Sequence, residues 1–119
     1  MPGFRDLVGL DVLRADDGSV TVGLDARDEH LNPFGTVHGG AIATLVDVAM
    51  GEAVATKDGE KGAPATIEMK VTYLDPGKPG RLEAVANVRR RGKRITIVEA
   101  EVRQGDDVVA LALATFTPG

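Results

Sequence analysis

Asn32-Pro33-Phe34-Gly35-Thr36-Val37-His38-Gly39-Gly40 is the densest run of chemistry-bearing residues in the chain, polar and glycine-rich, and it feeds directly into an apolar stretch. If that stretch is a helix, its first turn presents backbone N–H groups without internal partners. The helix dipole adds positive potential at the same end, which suits a developing negative charge. Glycines at the entry let a substrate oxygen approach the backbone without meeting a Cβ. The amides of Gly39 and Gly40 are therefore candidates for an oxyanion hole. Two glycines also serve simply to turn a chain into a helix, and the local pattern does not separate the two uses.

Asp47 lies nine residues after His38, in the segment Ala41 to Ala55 whose only polar side chains are Thr44, Asp47 and Glu52. An ionised carboxylate among apolar neighbours loses solvation and needs partners or a task. A nearby hydroxyl, or water at a subunit seam, meets the first need; a place in catalysis as base or nucleophile meets the second. Glu52, near the helix end, reads as a surface or interface residue. At about 1.5 Å per residue, Asp47 stands roughly 13 Å from the Gly39 amide of its own helix. One chain cannot bring both to a single carbonyl. An antiparallel helix from a second copy, as a two-fold dimer provides, would do so, and the spacing predicts a site shared between subunits.

The elements that must position these groups follow from periodicity. A helix is expected from Val37 or His38 to about Thr56, apolar on nearly every face and hence surrounded by protein. Lys57 to Gly62 reads as a charged surface loop. Thr66 to Leu74 alternates, with Ile67, Met69, Val71 and Tyr73 on one dry face. After the turn cluster Asp75 to Gly80, Leu82 to Val88, Ile95 to Arg103 and Val108 to Thr117 read as further strands. Their short connections predict an antiparallel meander. Ser19 to Ala26 is a strand before the helix. The fold class is α+β: a curved antiparallel sheet of five or six strands wrapped around one long central helix. A second copy is needed to cover what one sheet leaves open.

With 119 residues and 43% hydrophobic content, the chain suits one domain over residues 1–119. A net charge of -4 argues against general affinity for nucleic acid or an anionic membrane. The apolar stretch Ala41 to Ala55 is too short for a bilayer core of about 30 Å. There is no cysteine, which removes disulfides and thiolate chemistry and is compatible with a reducing compartment. Met1 to Leu10 lacks the basic start and apolar core of a secretory signal, so a cytoplasmic location is expected. Two histidines, His30 and His38, offer little for zinc. No phosphate-cradling or dinucleotide fingerprint occurs, and neither a metal nor a cofactor is expected.

Asn32, Gly35-Thr36, His38-Gly39-Gly40 and Asp47 together resemble the signature of hotdog-fold acyl-CoA thioesterases of the phenylacetate-pathway type. Gly62-Ala63-Pro64, Thr72-Tyr73 with the Pro76 turn, and Arg91-Gly92-Lys93-Arg94 also fall where that family has similar residues. The resemblance implies an acyl-CoA thioester hydrolase working as a homodimer, with assembly into a homotetramer favoured. It implies Asp47 as base or nucleophile, the Gly39 amide as the group polarising the carbonyl, and Asn32 and His38 as positioning water and substrate. Thr66 matches a serine or threonine that lies within reach of the attacking water in some relatives; otherwise it is an ordinary β-branched strand residue. Coenzyme A is then part of the substrate, and its phosphates call for a positive footprint. Arg89, Arg91, Lys93 and Arg94 of the basic run are the nominated contacts, the alternative being a solvated hairpin tip. A non-catalytic acyl-CoA binding or sensing module is the rival reading, and an acyl hydratase on the same fold a further one. Aryl-acetyl and medium-chain acyl groups both remain open.

Overall fold

The computed structural model describes residues 3–56 and 64–118; the charged loop expected at Lys57 to Gly62, with Ala63, lies outside them. A five-residue helix, α1 (Phe4–Val8), leads into β1 (Leu10–Asp16) and β2 (Ser19–Ala26). The long helix α2 (Gly39–Ala55) follows, and then β3 (Thr66–Tyr73), β4 (Gly80–Arg91), β5 (Thr96–Gln104) and β6 (Asp107–Phe116). The sheet is fully antiparallel in its pairings, with the order β1-β2-β4-β5-β6-β3. This is the expected α+β hotdog arrangement, with six strands and one long helix.

Alternation explains most of the sheet. Val20, Val22 and Leu24 of β2, Leu82, Ala84 and Ala86 of β4, and Val98, Ala100 and Val102 of β5 all turn inward and are buried. On β6, Ala110, Ala112 and Ala114 do the same. Alanines on three adjacent strands leave room for α2 to lie close on the sheet, where Ile42, Leu45, Val46, Ala49, Met50, Ala53 and Val54 fill the core. No helix is long and apolar enough among the described residues to cross a membrane.

One expectation is corrected. The meander holds for β4, β5 and β6 but does not include β3, which pairs with β6 at the opposite edge. The reason is that both sides of β4 are already occupied, by β2 and β5. The link after β3 is fastened elsewhere: Gly77 O accepts the Val37 N–H at 2.8 Å, and the Gln104 side chain bonds both backbone groups of Lys78. The sheet covers the helix on one side only and leaves open the part that a second copy is expected to cover. Ala43, Thr44, Asp47 and Gly51 are just half-buried in the single chain. The matching strand face is open too, since Ile67 is 54% and Tyr73 49% exposed while Met69 and Val71 are half-buried.

Candidate active site

The loop before α2 is held by Asn32. Its Oδ1 accepts the N–H groups of Phe34 (2.9 Å) and Thr36 (3.2 Å), and its Nδ2 donates to Thr36 Oγ1 at 2.8 Å. This side-chain mimic of a backbone turn works with Gly35, whose φ of 85° is a left-handed conformation that glycine adopts without strain. Beneath the loop, buried His30 accepts the Arg27 N–H through Nδ1 and contacts Val8 O through Nε2, while its carbonyl accepts the His38 N–H. The His30 ring is thus fixed beneath the loop, and its backbone ties down the entry to α2. Because its amide carries most of the loop's closing bonds, Asn32→Ala is expected to lower stability by about 1–2 kcal/mol. Thermal melting of the variant checks this, and an unaltered melting curve would show that the turn holds without it.

His38 is the N-cap of α2, with φ −58° and ψ 134°, and its Nδ1 accepts the Gly40 N–H at 2.8 Å. That bond requires an unprotonated Nδ1. The His38 carbonyl accepts from Ala41 N (2.9 Å) and Ile42 N (3.3 Å). Of the two amides nominated for an oxyanion hole, Gly40 is therefore engaged within the chain. Gly39 N–H meets no acceptor among the described residues. The Gly39 carbonyl, in turn, accepts a hydrogen bond of 2.8 Å from the hydroxyl of Tyr73. Sequence reasoning placed Tyr73 on the apolar side of its strand and gave it no task, because alternation reports the face of a side chain and not what its tip reaches. A cavity of about 390 Å³ opens beside Gly39, walled by Val37, Ile42, Tyr73, Leu74 and Pro76.

Asp47 is half-buried on α2. Thr66, the first residue of β3, donates its hydroxyl to Asp47 Oδ1 at 2.6 Å, a charge-assisted bond that fixes the carboxylate rotamer. Since α2 is unbroken from Gly39 to Ala55, the eight positions between Gly39 and Asp47 amount to about 12 Å. The described chain thus presents two separate clusters, each a candidate half-site. One holds Asn32, His38, Gly39 and Tyr73, and the other Asp47 and Thr66.

The basic residues divide. Arg91 points to the C-terminal end of α2, where it donates to the carbonyls of Val54 (3.1 Å) and Ala53 (3.3 Å) and pairs with Asp17 at 3.6 Å. Its guanidinium is thus engaged within the chain, where its charge complements the negative end of the helix. Arg89 pairs across strands with Glu99 at 3.1 Å. Lys93 and Arg94, joined by Arg90, rim a depression of about 480 Å³ floored by Ile95 and Ile97. None of these three has an ion-pair partner among the described residues. A bulge between Val88 and Arg90 shifts the strand register and sets Arg90 across from Ile97.

Residues 34–111, which span the start of α2, Asp47 and four of the six strands at least in part, match the family model of the thioesterase superfamily. The chain belongs to the thioesterase superfamily. Human acyl-coenzyme A thioesterase 13 is 33% identical to this thioesterase over 102 residues, covering 83% of the chain and 71% of the human protein. A Caenorhabditis elegans protein named as an esterase is 41% identical over 82 residues, 68% of the chain, and the match spans 48% of that protein. Among solved structures, a conserved protein from Pseudomonas aeruginosa superposes with a TM-score of 0.94 at 38% identity, covering 98% of the chain and 94% of the other. The phenylacetic acid degradation protein PaaI from Thermus thermophilus, in a mutant form, gives a TM-score of 0.88 at 30% identity with 96% of each chain covered. The reaction class follows: this is a thioester hydrolase of the hotdog fold, similar to the phenylacetate-pathway thioesterases.

Proposed function

We propose that this thioesterase hydrolyses acyl-CoA to a free acid and CoA at a site composed by two copies of the chain. The observation that carries the reading is the open edge of β3. At one end of that strand Thr66 holds Asp47, at the other Tyr73 holds Gly39, and the edge between them is the last of the sheet. Antiparallel pairing of β3 with its copy about Met69 and Lys70 sets Thr66 opposite Tyr73 of the partner subunit. It would also cover Ile67 and Tyr73 and the open side of α2. Each half-site then faces the complementary half of the other chain. Leu111 (45% exposed) and Leu113 (51%) on the outer sheet face give the dimer an apolar patch for joining a second dimer.

In the reaction, the thioester carbonyl lies at the helix start and Gly39 N–H donates to its oxygen, stabilising the charge that develops as the carbon becomes tetrahedral. Asp47 of the partner subunit acts on the opposite side by one of two routes. As a base it takes a proton from water, whose oxygen attacks the carbonyl carbon; the C–S bond breaks and the thiolate of CoA receives a proton. As a nucleophile its carboxylate displaces the thiolate, and water then opens the resulting anhydride. Thr66 keeps the carboxylate aimed in either case. The acyl group occupies the cavity beside Gly39, whose mixed aliphatic and aromatic wall accepts aryl-acetyl and medium-chain acids alike.

The nucleotide end of CoA is assigned to the depression rimmed by Arg90, Lys93 and Arg94, with Ile95 and Ile97 beneath the base. Replacing all three cations by alanine is expected to raise KM for acyl-CoA about tenfold and to leave turnover of the matching acyl-pantetheine, which lacks the nucleotide, unchanged. Equal effects on both substrates would remove this assignment. The reading as a whole is tested by thiol release from a panel of acyl-CoA esters. Release from at least one aryl or medium-chain ester is expected; tight binding of every ester without release would instead make the chain a sensor.

A further inference from the structure

We infer that Tyr73 is a positioning residue for carbonyl activation: its hydroxyl and the ring of His38 grip the two ends of the Gly39–Gly40 peptide and thereby hold the free Gly39 N–H on target. This rests on the reading of Gly39 as the donor to the thioester oxygen. Two consecutive glycines give a helix start the loosest backbone available, since neither carries a Cβ to restrict it. Oxyanion stabilisation demands the reverse, because a donor that must reorient during the reaction loses much of its electrostatic effect.

The side chains around the pair supply the missing restraint. His38 Nδ1 takes the Gly40 N–H at 2.8 Å, and Tyr73 Oη donates to the Gly39 carbonyl at 2.8 Å, so one peptide plane is bonded at both edges. The preceding peptide is fixed through the His38 carbonyl, which accepts from Ala41 and Ile42. The Gly39 N–H is the free edge of that preceding peptide, and the His38 and Tyr73 bonds restrain the plane joined to it through the Gly39 Cα. The Tyr73 ring also sits flush on Gly39: a Cβ built there would lie 3.4 Å from both Cζ and the hydroxyl oxygen. The clamp comes from the strand end that the dimer reading sets against Thr66 of the partner subunit. Closing the edge of β3 would therefore also bury the Tyr73–Gly39 bond and strengthen it.

Tyr73→Phe removes the hydroxyl and keeps the ring that walls the cavity. We expect kcat to fall about tenfold, less than the loss of an oxyanion donor itself, with KM for acyl-CoA within twofold of the original. The same factor should appear for acyl-pantetheine and for esters of different acyl length, since all share the carbonyl. His38→Ala in the Tyr73→Phe background should cost less than the product of the two single effects, because both side chains hold one peptide. A Tyr73→Phe enzyme with unaltered kcat, a loss confined to KM, or a loss that varies with acyl length would overturn the inference. Absence of thiol release by the unmodified protein would be a different result, which overturns the acyl-CoA reading and the Tyr73 inference with it.

Discussion

Asp47→Asn is expected to lower kcat for acyl-CoA hydrolysis by about 10²–10⁴-fold, the range associated with removing a general base, or by more if Asp47 is the nucleophile. Asparagine has the same shape, and its Oδ1 still accepts the Thr66 hydroxyl that now reaches Asp47 at 2.6 Å. The fold and the subunit association should therefore survive. Asp47→Ala should be as inactive and somewhat less stable, since it leaves the Thr66 hydroxyl without that acceptor. Thiol release and gel filtration on the same preparations separate the two effects. Full activity in either variant removes Asp47 from the mechanism.

Gly39→Pro is expected to reduce kcat by about 10²–10³-fold, the cost of deleting one oxyanion donor. Few substitutions delete an N–H so selectively. Gly39 is the first residue of α2, where proline is favoured because its missing N–H has no helical partner in any case. His38, with ψ 134°, already has the extended backbone required before proline. The nearest atoms to a Cβ at this place are those of the Tyr73 side chain, at 3.4 Å. The melting temperature should stay close to that of the unmodified protein while turnover is lost. A variant that melts normally and hydrolyses normally would show that another group polarises the carbonyl.

Much of this was legible in the residues, and the exceptions have identifiable causes. The α2 helix and the five strands from Ser19 to Thr117 were marked by plain periodicities of about 3.6 and 2. The segment Leu10 to Asp16 escaped because a bulge between Val12 and Arg14 breaks the alternation, leaving Val12 and Leu13 as exposed neighbours. The place of β3 escaped because short links argue for neighbouring strands, while its partner is chosen by which edges are free. At the site, Asp47 was conspicuous as a carboxylate in apolar surroundings. Its bond to Thr66 was not, since the two are nineteen positions apart and meet only through the fold. Arg91 looked like its neighbours in a basic run, and only the position of the helix end shows its capping role.

Subunit complementation tests the central claim most directly. Asp47→Asn and Gly39→Pro homodimers should each be almost inactive. After unfolding together and refolding as an equal mixture, half the dimers are mixed. One of the two sites in each then pairs an intact Gly39 with an intact Asp47, so about a quarter of the original activity should return. If both groups acted within one chain, every site in the mixture would carry one lesion, and the refolded mixture would stay as inactive as its parents.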